Sequence, residues 1–187
     1  MAEFTSGVQT TSASGEVEPE VLGKQISSLA LCYVSCSKDS GNAFVGAALV
    51  TDHRTRPLEF CYIAPIRPTT IQRLLYGKTL DEHVNVDVMV KKLLEGLSRV
   101  PDIIFVDSEV LLETSRICPV PIALLKKSPD KSSPGPKLSQ YTYQVPENSR
   151  YADAVSQAVG VLETQIQLCD PFDRITEALK EALRSKP

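Results

Sequence analysis

Residues 43–63 read AFVGAALVTDHRTRPLEFCYI, and residues 101–107 read PDIIFVD. These two pieces and the helical segment between them decide the fold. Residues 43–51 read as a strand, in which Gly46 allows a bulge or a close backbone approach. The polar run 52–56 is a turn. Residues 57–63 then alternate Leu58, Phe60 and Tyr62 against Glu59, Cys61 and Ile63, the period of a strand. So short a polar connection joins antiparallel neighbours.

Pro65 and Pro68 stop that strand, and Thr69 with Gln72 forms a capping box. Ile71, Leu74 and Leu75 begin the apolar face of a helix that Gly77 interrupts. Leu80, Val84, Val88, Leu94 and Leu97 carry helical spacing on to about residue 99. Pro101 introduces DIIFVD, a short apolar strand of the buried parallel kind that ends in Asp107.

Working outward, residues 26–35 (ISSLALCYVS) are apolar on both faces and read as a central strand. The cluster KDSGN at 38–42 is a turn. A short helix is expected over 110–114. A fifth strand is expected over 119–125, where Pro119 and Pro121 suggest a sheet edge. Residues 126–137 hold three prolines, one glycine and four lysines, the composition of a loop. One more strand is expected over 138–145. A helix follows over 150–168, and a second starts with Asp170 as N-cap and Pro171 at the first helical position. Residues 1–24 are poor in large apolar side chains and are expected to form a flexible tail. Residues 25–187 are then one α/β domain, a mixed five- or six-stranded sheet flanked by helices.

Composition sets the outer bounds. With 187 residues, 42% of them hydrophobic and 23% charged, the chain suits one buried core. A net charge of −3 gives no global pull on nucleic acid or anionic membrane. No apolar run approaches the ~20 residues that cross a bilayer, and the N-terminus has no signal pattern. The five cysteines are odd in number and lie in apolar segments, which suits free thiols in a cytoplasmic protein. Cys32 and Cys36 would share a strand face about 13 Å apart, too far for one metal.

The order of three meandering strands, helix, buried strand ending in Asp, short helix and strand resembles the ribonuclease H-like superfamily, in the layout of endonuclease V and the Piwi domain. The resemblance covers residues 26–125. It implies two-metal hydrolysis of nucleic acid, with an Asp on the first strand, an acid near the third and an acid ending the fourth. Here the first-strand segment LALCYVSCS has no acid, and Asp39 lies beyond it. Glu59 stands at the start of the third strand. Asp107 fills the fourth-strand position, with Glu109 two residues on.

Asp107, Glu109, Glu59 and Asp52 are thus the acids a divergent nuclease would use with Mg2+. The competing reading makes Asp107 a helix cap, with no catalytic residue, metal or cofactor. Arg54, Arg56, Arg67, Arg73 and Lys78 form a basic cluster in sequence beside the helix start at Thr69, suited to phosphate or nucleic acid. The alternative is a solvated rim pairing with Glu59, Asp81 and Glu82. Phe172, Ile175, Leu179 and Leu183 form the stripe of the last helix, which either covers the sheet or binds a protein partner or second copy. Three functions follow: a non-catalytic accessory or assembly subunit on a degenerate nuclease-like scaffold, a divergent metal-dependent nuclease, or a nucleic-acid-binding module without chemistry.

Overall fold

A computed structural model describes residues 26–127, 141–147 and 149–184. The expected tail at 1–24 and most of the 126–137 loop lie outside the described residues. The architecture is one mixed six-stranded sheet with helices on its faces. Its strands are β1 (Leu31–Lys38), β2 (Phe44–Thr51), β3 (Pro57–Ile66), β4 (Ile103–Val106), β5 (Ile122–Lys127) and β6 (Tyr141–Gln144). They lie in the order β3-β2-β1-β4-β5-β6. β1 to β3 form an antiparallel meander, β4 and β5 run parallel to β1, and β6 returns antiparallel. This is the mixed α/β class the sequence indicates.

The two-faced apolar pattern of β1, β2 and β4 has its reason in this order. Each is an inner strand covered on both sides, and every residue of β2 and β4 is buried. One core holds Leu31, Tyr33, Ala47 and Phe105 under α3 (Ala152–Leu162) and α4 (Asp170–Arg184). The other holds Cys32, Val34, Val50, Ile104 and Val106 with Val90 and Leu93 of the middle helical segment.

Several expectations needed correction. β1 begins at Leu31, after a 3-10 turn at Ile26–Ser28, and runs on to Lys38. β3 passes through Pro65 to Ile66; on an edge strand the missing proline donor leaves no ladder bond unmade. β5 is an inner strand, because its prolines precede it and β6 closes beyond it. The segment after Gly77 is helical over residues 80–95 (here α2), but its middle, His83–Val90, is a π-helix. The wider turn breaks 3.6-residue spacing, so Val86, Met89 and Val90 are buried and Val88 is not.

Other local signals behave as their chemistry requires. The Thr69 hydroxyl accepts from the Gln72 amide while the Gln72 side chain accepts from the Thr69 amide, starting α1 (Thr70–Tyr76). Gly77, at φ 52, ends it in a conformation that disfavours other residues. The bulge expected near Gly46 is a register shift of β3 against β2 between Phe44 and Gly46.

Candidate functional site

Val106 faces Val34 across parallel strands, so the next residues, Asp107 and Ser35, also meet. The Ser35 hydroxyl donates to Asp107 Oδ2 at 2.5 Å. Among the described residues, Asp107 Oδ1 is buried without a hydrogen-bond partner. Burial pushes the carboxyl above its usual range, against the opposing pull of Ser35 and the residue's own backbone. Asp107 does not cap the following segment. The 3-10 turn Glu109–Arg116 starts after Ser108 with no side-chain cap.

Beside this pair, the Cys36 thiol is pushed up to about 12, first by burial and then by the Asp107 charge. A Cβ on Gly46 would meet Met89 Cε at 2.6 Å and Cys36 Sγ at 2.9 Å. The Met89 side chain of the π-helix therefore fills the space over this part of the sheet, and only glycine leaves room for it.

The other nuclease candidates are elsewhere. Ser35 is level with Ala47 and Tyr62 across β2 and β3. Glu59 is three residues from Tyr62 and three strands from Asp107, about 17 Å away by strand spacing. Its Oε1 accepts from the Ser98 amide at 2.8 Å, a bond that holds its carboxyl below the usual range. Asp52 lies past the end of β2, about 19 Å from Asp107 on the same reckoning. Its Oδ1 accepts from the amides of Arg54 and Arg56. Slight burial pushes its carboxyl up, but those amides and the nearby positive charges outweigh it and bring it down. Glu109 pairs with Lys126 at 2.6 Å, whose hydrogen bond and charge lower its carboxyl. Among the described residues, no three His, Cys, Asp or Glu side chains are grouped to hold a metal ion. The four acids do not converge.

The basic cluster divides as well. Arg54 and Arg56 stand before β3, while Arg67, Arg73 and Lys78 follow it. A ten-residue strand separates the two groups by about 30 Å. The acids weighed as their partners are engaged elsewhere: Glu59 at Ser98, Asp81 at Lys38 and Glu82 at Arg116. Arg67 lies 3.7 Å from Asp39. Arg73 and Lys78 have no carboxylate partner among the described residues.

The stripe on α4 faces inward. Phe172, Ile175 and Leu179 are buried, and Leu183 packs on the same cluster. Phe172 meets the Tyr33 ring edge-on at 5.4 Å. Arg174 donates to the Thr55 carbonyl at 2.8 Å, tying α4 to the β2–β3 turn. These four side chains cover the sheet and offer no outer apolar face in the described chain.

The reverse holds at α1, whose apolar residues the sequence marks as the start of a helix's apolar face. Not one residue of α1 is buried. Ile71, Leu74 and Leu75 are 69%, 77% and 79% exposed. At spacing i, i+3 and i+4 they share one side of the helix. No acid lies within α1, and Arg73 is on it. The sequence reading missed this surface. The signal that could have found it is the shortness of a helix closed at both ends, by the capping box and by Gly77.

No protein-family model matches the chain, and no curated protein does. Among solved structures it is similar to the X-ray crystal structure of Marinitoga piezophila Argonaute in complex with 5′ OH guide RNA, at 12% identity and a TM-score of 0.31. That match covers 63% of this chain and 19% of the Argonaute chain. So low a score carries neither fold detail nor activity across. No helix among the described residues is long and apolar enough to cross a membrane.

Proposed function

We propose that the chain is a non-catalytic accessory or assembly subunit, a ribonuclease H-like scaffold that holds a protein partner on α1. The observation that carries this reading is the exposure of Ile71, Leu74 and Leu75. Three large aliphatic side chains on one helix side, at anchor spacing, suit insertion into a partner's groove. Covering them would contribute about 1–2 kcal/mol each. Among the described residues no acid set converges on Asp107, which supports a role without hydrolysis.

The test is co-purification of the tagged full-length chain with nuclease treatment, alongside a Leu74→Glu/Leu75→Glu variant. The expected result is a stoichiometric protein that survives nuclease and is lost from the variant. Recovery of nucleic acid instead, lost on Arg67→Ala/Arg73→Ala, would replace this reading with the nucleic-acid-binding one.

A further inference from the structure

We propose that the outer edge of β3 pairs with the same edge of a second copy of this chain, joining two sheets across a two-fold axis. β3 ends the sheet and, among the described residues, its backbone is paired to β2 alone. Protein sheets blunt such edges with lysines, inward-pointing charges, prolines or bulges, and in β3 the prolines and bulges stand only at the two ends. The sequence PLEFCYIAPI has no cation and one acid. That acid, Glu59, is taken by the Ser98 amide.

The edge also has a defined centre. Register shifts against β2 fall between Glu59 and Pro57 at one end and between Ile63 and Ile66 at the other. Pro57 and Pro65 remove donors at those same ends. What remains is a regular run of five residues, 59–63, with Cys61 in the middle. Pairing two such runs antiparallel about Cys61 sets Phe60 opposite the second copy's Tyr62, twice over. It sets Glu59 opposite Ile63, so no charge meets a like charge. A slide by four residues in one direction would bring Glu59 onto Glu59, which is unfavourable. In the other direction it would bring Cys61 onto the donor-less Pro65.

The side chains fit this register. Leu58, Phe60 and Tyr62 are exposed on one side of the sheet edge. The rings of Phe60 and Tyr62 already stack at 6.2 Å. The paired strand would extend that stack into a four-ring row, since cross-strand aromatic pairs are favourable. The same two-fold keeps the α3/α4 side of one copy continuous with that of the other. Five residues per strand is a short ladder, so the dimer is concentration-dependent. It uses neither α1 nor the partner reading above.

Sedimentation equilibrium on the full-length chain tests this, with Phe60→Lys, Tyr62→Glu and their equimolar mixture. Both positions are exposed, and unchanged circular dichroism and melting check that each variant folds. The wild type is expected to dimerise reversibly. Each variant alone loses two aromatic pairs and weakens dimerisation about thirtyfold, the equivalent of ~2 kcal/mol. Mixing them sets the introduced lysine of one copy against the introduced glutamate of the other and restores association. A wild type that stays monomeric to its solubility limit, or a dimer indifferent to both variants, overturns the proposal. So does a mixture no tighter than the variants apart.

Discussion

Replacing Leu74 and Leu75 together by Gln should leave the free protein almost as stable as the wild type. Fully burying a leucine is worth about 1.5–3 kcal/mol relative to exposure. These two keep only about a fifth of their surface from water, so each contributes about 0.3–0.6 kcal/mol. The double variant should then cost about 1 kcal/mol at most, and glutamine is itself a good helix former. Ile175 on α4 has a similar place in its sequence stripe but is 1% exposed. Its change to Ala should cost about 2–5 kcal/mol, through lost transfer energy and the cavity left behind. Urea unfolding reads both: the midpoint should barely move for the α1 variant and fall clearly for Ile175→Ala, with the slope unchanged in each. An α1 variant as destabilised as Ile175→Ala would mean that the helix is packed in the free chain, and the partner surface would vanish.

Further outcomes follow from the same geometry. Gly46→Ala should destabilise by about 1–3 kcal/mol through crowding of Met89 and Cys36, and Met89→Leu, which withdraws the terminal methyl, should recover part of the loss in a double-mutant cycle. Because burial raises the Asp107 carboxyl, its favourable contribution is present at acid pH and is lost as pH rises through the folded-state value. Asp107→Asn should therefore gain stability relative to the wild type on going from pH 4 to pH 7, measured by denaturation at each pH; a constant difference would contradict the raised value. Thr69→Ala should cost about 1 kcal/mol of local helix stability by removing the capping box, visible as faster amide exchange in residues 70–76 with the midpoint of global unfolding little changed.

Much of the scaffold was legible because its signals are local. The Thr69–Gln72 box and Gly77 fix both ends of α1, and apolar runs mark β1 and β4 as inner strands. Helical spacing misassigned Val88 because the π-helix changes the period, and nothing in HVNVDVMV announces that change. Pro119 and Pro121 suggested an edge because a proline's position relative to the first ladder bond depends on register, which sequence does not set. The site was less legible still. Arg56 and Arg67 look clustered, yet the strand between them carries them apart. Ile71, Leu74 and Leu75 carry the same spacing as a core stripe, and periodicity is identical whether the matching surface belongs to this chain or another.

The central place of β1 divides the molecule by how its parts can open. Its ladder is closed on one side by β2 and on the other by β4, and Cys32, Tyr33 and Val34 are wholly buried. Their amide protons can meet solvent only when the whole sheet comes apart, so they should exchange at the rate of global unfolding. The seven residues of α1 are tied in only at their ends, and a helix that short is marginal by itself. Its amides should exchange through local fraying, many orders of magnitude sooner. The segment that carries the exposed apolar side chains is thus free to melt and wind again while the sheet beneath keeps its register.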